Sequence, residues 1–186
     1  MTTVLVPLAK GFEEIEAVSI IDVLRRAQIE VVVASLDHTA LVLGANGIVI
    51  EADVEIKNVY CDILDMIILP GGWDGTYALA DNEHVQRILK GMDENSKHIG
   101  AICAAPFALA KAGVLKNKFT CYPSVEEQIE NDGYMGDKMM VVEDENIITS
   151  RGPGTSICFA LEIVKKLKGE ETYQMLKDGL LASYCN

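Results

Sequence analysis

The sequence predicts an α/β fold, a mostly parallel sheet with helices on both faces, and three observations lead there. Short apolar runs alternate along the chain with amphipathic segments of helical period, the pattern of successive βα units. The runs are continuously apolar, as strands covered on both faces are. No linker, repeat or low-complexity tract interrupts them, so one domain over residues 1–186 is expected, long enough for a core stable on its own.

The elements follow in order. Thr3 to Ala9 is a strand, and a helix over about Glu13 to Ala27 comes next. Glu30 to Ser35 is a valine-rich strand. In "LVLGANGIVIEAD" two short β runs flank Ala45-Asn46-Gly47, a hairpin signal. Met66 to Pro70 is a strand that runs into "PGGWDG". Val85 to Met92 is helical, and His98 to Ile102 is the next strand. Ala104 to Lys111 is a helix with Pro106 in its first turn, where a missing N–H has no partner to lose, and Gly113 ends it. Lys118 to Cys121 reads as a short strand and Ser124 to Asn131 as a helix. Two short strands flank Glu143 to Asn146. Thr155 to Leu167 is a helix stopped by Gly169, and a last helix runs from about Glu170 toward Leu181.

Composition narrows the function. A net charge of −12 argues against nucleic acid or an anionic membrane as partner, since both need a basic footprint. No apolar run approaches the ~20 residues that span a bilayer. "MTTVLVPLAKGFEE" lacks the basic start and cleavage site of a signal peptide. Five cysteines without regular spacing do not form a disulfide framework, and Cys185 is expected to be the most exposed of them. These features predict a soluble, reduced, cytoplasmic protein. His38, His84 and His98 have no partners at ligand spacing, so no metal or cofactor is expected.

Four places carry chemistry. Cys103 sits at the predicted strand-to-helix corner, where hydrolases with an elbow nucleophile place theirs. Free amides at a helix start favour an anion, so a lowered thiol pKa is expected. On a helical wheel Glu16 shares a stripe with Phe12, Ile20, Val23 and Ala27, while Glu14, Asp22, Arg25 and Arg26 lie opposite. Glu16 is thus a carboxyl on an apolar face, with its pKa raised by burial, unless a frayed first turn leaves it in water. Gly71 and Gly72 follow a strand directly, as either a tight turn or a close backbone approach. The amides of Gly72 and Ala104 are placed to form an oxyanion hole for a species on Cys103. "SRGPGTS" joins a strand to a helix with Gly154 or Thr155 as N-cap, and Arg151 either neutralises a substrate or pairs with surface acid.

Together, "LAKGFEEIEAV", "ILPGGWDG", "AIC" followed by "AAP", and "TSRGPGTS" resemble the ThiJ/PfpI family, the DJ-one superfamily, in the family's order over nearly the whole chain. The resemblance implies a flavodoxin-like three-layer α/β/α sandwich and a homodimer. It implies Cys103 as the reactive elbow cysteine, Glu16 as partner acid, Gly72 and Ala104 as backbone donors, and a pocket at Gly71, Trp73, Tyr122, Arg151 and Pro153. Many members carry a histidine where "FTCYPS" has Tyr122. With a reference pKa of about 10, tyrosine is a poor base, which argues against proteolysis. Trp73 is particular to this chain and narrows the pocket.

Two functions are compatible with these residues. One is a glyoxalase or deglycase in which Cys103 adds to a small dicarbonyl, or to its adducts, and Glu16 moves the proton. The other is an oxidation sensor or redox-dependent chaperone with a stabilised sulfinate on Cys103.

Overall fold

The computed structural model describes residues 2–185. Seven strands form the main sheet in the order β5-β2-β1-β6-β7-β9-β8. They are β1 (Thr3–Leu8), β2 (Glu30–Ser35), β5 (Val54–Glu55), β6 (Met66–Leu69), β7 (His98–Ile102), β8 (Val141–Asp144) and β9 (Ile147–Ser150). All pairings are parallel except the β8–β9 hairpin. A separate hairpin pairs β3 (Leu41–Leu43) with β4 (Val49–Glu51), in the register Val42 to Ile50. The helices are α1 (Glu14–Arg26), α2 (Trp73–Asp81), α3 (Glu83–Glu94), α4 (Pro106–Ala112), α5 (Ser156–Lys168) and α6 (Glu170–Gly179).

Alternate side chains of the central strands point to two separate cores, as the period of two requires. Val4, Val6, Leu8, Met66 and Ile68 pack with α1 and α5 on one face. Leu5, Ile67, Leu69 and Ile99 pack with α2, α3 and α4 on the other. The result is the α/β/α sandwich expected. With the edge strands β5 and β8 set aside, the order 2-1-3-4-5 is the flavodoxin-like one. The chain leaves β1 toward β2 on one side and returns through β6 on the other. That reversal opens a crevice at the carboxyl ends of β1 and β6, where ligands bind in such sheets.

Several expectations need correction. Trp73–Asp81 is helical although Gly75 weakens the pattern. A Cβ on Gly75 would lie 3.0 Å from the Phe12 amide nitrogen, so glycine is there to let α2 close onto the Gly11–Phe12 loop. Lys118–Cys121 is not a strand. Its amides go to the Asp144 and Thr149 side chains and to Gly133 O, because both edges of β9 are already taken by β7 and β8. Ser124–Asn131 reduces to a 3-10 turn at Glu126–Gln128. Cys185 is buried and disulfide-bonded to Cys158 in the first turn of α5, with the two Cα atoms 5.1 Å apart. The chain folds back after α6, buries Ala182, and so carries Cys185 onto α5. Three cysteines remain free: Cys61, Cys103 and Cys121. Among the described residues, no helix is long and apolar enough to cross a membrane.

Candidate active site

The turns that follow β1, β6, β7 and β9 converge at the crevice. After β1, Glu13 caps α1 by accepting the Glu16 amide at 2.8 Å, which fixes the first turn and points Glu16 inward. Glu16 is fully buried, so the frayed alternative does not occur. After β6, Gly71 bridges to the same helix start: its N–H donates to Glu16 Oε2 at 2.7 Å, and its carbonyl accepts the Glu13 amide at 2.9 Å. The other Glu16 oxygen, Oε1, is sealed from solvent with no partner of its own among the described residues.

After β7, Cys103 takes the elbow. Its φ is +64°, in the left-handed region that a non-glycine residue adopts only when its surroundings hold it there. Two backbone bonds do so: the Cys103 amide donates to Ser150 O at 3.0 Å, and its carbonyl accepts the Tyr122 amide at 2.9 Å. The Gly72 and Ala104 amides donate to its sulfur, and its thiol lies in hydrogen-bonding reach of the Glu16 carboxyl. Gly71 is the spacer between the two reactive groups. A Cβ there would fall 2.6 Å from Cys103 Cβ, 2.8 Å from Glu16 Oε2 and 3.0 Å from Cys103 Sγ. Gly72 (φ +92°) has the Gly11 carbonyl in the place of any Cβ.

The remaining predicted residues stand around this pair. Trp73 opens α2 and is half-exposed. Tyr122 is half-exposed, and its ring lies 3.2 Å from where a Gly152 Cβ would be. Arg151 follows β9 and forms no ion pair among the described residues, and its buried Nε has no partner. Pro153 starts a short 3-10 turn, and Thr155 is the N-cap residue of α5. Thr155 Oγ1 turns back to Ser150 and Gly152 instead of capping the helix, which fixes the loop beside the elbow. Reading the sequence missed Glu13 and Ser150. A glutamate three residues before Glu16 was the available signal for the first; the second acts through its backbone and leaves none.

The DJ-1/PfpI family model matches residues 2–166. The chain belongs to this family. It is 42% identical over 181 residues to Protein dj-1beta of Drosophila melanogaster, covering 97% of each chain. It is 39% identical over 171 residues to a Caenorhabditis elegans protein named glutathione-independent glyoxalase DJR-1.2, covering 91% of each. Among solved structures, oxidized Toxoplasma gondii DJ-1 matches with a TM-score of 0.92 at 38% identity, over 97% of this chain and 98% of that one.

Electrostatics in this DJ-1/PfpI site differ from the expectation in one respect. Burial, opposed by the Gly71 amide, pushes the Glu16 carboxyl up to about 7. Burial and the adjacent Glu16 carboxylate also push the Cys103 thiol up, against the two amides that favour its anion. A lowered thiol pKa was expected from the helix start, but α4 begins only at Pro106, three residues past the sulfur. The thiolate therefore forms when Glu16 holds the proton. Two negative charges in one dry site repel each other, so the pair keeps one proton between them. Among the described residues no three His, Cys, Asp or Glu side chains gather into a metal-holding group.

Proposed function

We propose that this DJ-1/PfpI protein is a cytoplasmic, cofactor-independent glyoxalase-type enzyme acting on small 2-oxoaldehydes or their adducts with amines and thiols. The observation that carries the reading is the buried Glu16 carboxyl, titrating near neutrality beside a thiol whose sulfur already faces two amide donors. A proton shuttle works best when its pKa lies near the working pH. The relative named as a glyoxalase adds support.

Glu16 carboxylate takes the thiol proton as Cys103 Sγ bonds to the aldehyde carbon. The aldehyde oxygen takes the Glu16 proton, giving a hemithioacetal. Glu16 carboxylate then removes the hydrogen from that carbon and delivers it to the second carbonyl oxygen, forming an enediol. It next takes the proton of the first hydroxyl and returns it to the second carbon, leaving a thioester of the 2-hydroxy acid. Water cleaves the thioester, releases the acid and restores the thiol. Gly72 and Ala104 hold the sulfur's negative charge at the start and end of the cycle. Arg151, which forms no ion pair among the described residues, is the cation assigned to the carboxylate product. The test is lactate formation from methylglyoxal by the wild type, Cys103→Ser and Glu16→Gln. Equal rates in all three overturn the reading.

A second reading rests on the same donors. Two amides and a protonated Glu16 would also hold a sulfinate on Cys103, formed with two equivalents of peroxide. Mass spectrometry after mild peroxide tests it: oxygen on Cys61 or Cys121 before Cys103 rules it out. For either function the proposed assembly is a homodimer. Ile15 and Val18 on α1 and Ile48 and Val49 of the hairpin are all exposed, and Glu14 ties that hairpin to the helix start, so the two elements offer apolar surface to a second copy. Light scattering across a dilution series checks it.

A further inference from the structure

Four of the eleven aromatic residues lie on segments next to the elbow: Trp73 and Tyr77 on α2, Phe107 on α4, and Tyr122 in the loop whose amide bonds the Cys103 carbonyl. Trp73 follows directly on Gly72, whose amide donates to the sulfur, so its backbone is placed by the site itself. Tyr77 stands one turn further on the same face of α2, its ring 6.2 Å from the Trp73 ring and inclined at 30°. Phe107, four residues past Cys103, meets Tyr77 edge-on at 5.5 Å. The Tyr77 hydroxyl donates to Gln128 Oε1 at 3.0 Å, which ties α2 to the turn that follows Tyr122. Trp73 and Tyr77 still expose 42% and 40% of their surface, and Tyr122 exposes 44%. Ring surface is held in place here without being buried.

The inner side of the site is closed. Gly71 leaves no room for even a methyl group between Cys103 and Glu16, and Glu16 is fully buried. A substrate bonded to the sulfur through its aldehyde carbon must therefore project whatever its second carbonyl carries away from Glu16, and the nearest of these rings along the chain is Trp73, next to the Gly72 amide at the sulfur.

We infer that the aromatic shelf formed by Trp73, Tyr77 and Phe107 selects 2-oxoaldehydes bearing an aromatic ring over those bearing a methyl group. The inference rests on the Cys103–Glu16 reading for the reacting carbons and adds the substituent they carry. The reaction is unchanged: phenylglyoxal and water give mandelate, as methylglyoxal and water give lactate. Ring on ring adds an attraction that a methyl group cannot match.

Two measurements test it. The first is kcat/KM for phenylglyoxal and methylglyoxal in the wild type, Trp73→Ala, Tyr77→Ala and Trp73→Phe. Expected is a fall of about tenfold in the ratio of kcat/KM for phenylglyoxal to that for methylglyoxal in both alanine variants, as one stacked contact implies, with the ratio in Trp73→Phe near that of wild type. An equal loss on both aldehydes overturns the shelf. The second needs no turnover. Trp73 is the only tryptophan, so its fluorescence reports on the shelf alone. Mandelate should quench it saturably and lactate should not. Quenching by mandelate without turnover of either aldehyde would keep the shelf and overturn the glyoxalase reading. Turnover without quenching or discrimination would do the reverse.

Discussion

Glu14 and Glu16 stand two residues apart in the first turn of α1, both are buried, and they behave in opposite ways. Burial would push the Glu14 carboxyl up, but it accepts the Asn46 amide at 2.5 Å, the Asn46 side chain at 2.9 Å and the Ile48 amide at 3.4 Å. Together these donors hold it below the usual carboxylate range. Glu16 accepts one amide and faces a thiol, so burial prevails and carries it to about 7. Burial alone does not set a carboxyl's charge; the number of donors aimed at it does. One carboxylate becomes an anchor for the β3–β4 hairpin, while the other is left able to gain or lose a proton near neutrality.

Exchanging the acids one at a time should break the comparison most clearly. Glu16→Gln should lower the glyoxalase rate by about 10²–10⁴-fold, the usual worth of a positioned proton carrier, while Glu14→Gln should stay within about threefold. Gly71→Ala comes next. Its Cβ would force Cys103 and Glu16 apart, and a misplacement of about 1 Å costs on the order of 10²-fold in steady-state kcat.

Stability gives smaller effects, with opposite slopes in pH. Glu16 has its pKa raised in the fold, so it is harmless below about pH 4.5 and destabilises as pH rises toward 7. The shift from 4.5 to about 7 corresponds to about 3 kcal/mol. Urea unfolding at pH 8 should therefore show Glu16→Gln more stable than wild type by up to that amount, with the gain vanishing near pH 4.5. A gain of the same size at both pH values would contradict this. Glu14, with its pKa lowered, stabilises above its unfolded value and loses that contribution as pH falls below it. Asn46→Ala should cost about 1–2 kcal/mol at pH 7, and less in acid, by the same measurement.

The wheel that placed Glu16 inside put Glu14 outside, and the two outcomes show what a sequence can carry. Helical period reports the face turned toward the sheet, and Glu16, Ile20 and Val23 follow it. It says nothing of a hairpin thirty residues on that folds over the opposite flank, and that hairpin is what buries Glu14. The parallel strands were legible because burial on both faces leaves an unbroken apolar run. Helix α2 was hidden because Gly75 serves its packing against Phe12 rather than its propensity. The Cys158–Cys185 pair, 27 residues apart with no motif, depends on how the chain folds back after α6. The elbow was legible from Cys103, Pro106 and the run before them, and its charge state was not, since that depends on a carboxyl 87 positions earlier in the chain.

The sulfur's cradle is stitched from four strand ends, and the Cys103 amide is fastened to Ser150. During synthesis the acid emerges first and the thiol much later, yet neither is primed until β9 has docked. A half-made chain thus carries an ordinary cysteine, and its reactivity switches on only as the last central strand closes. Thiol reactivity at Cys103 is expected of the completed fold alone, and fragments ending before residue 150 should be chemically mute.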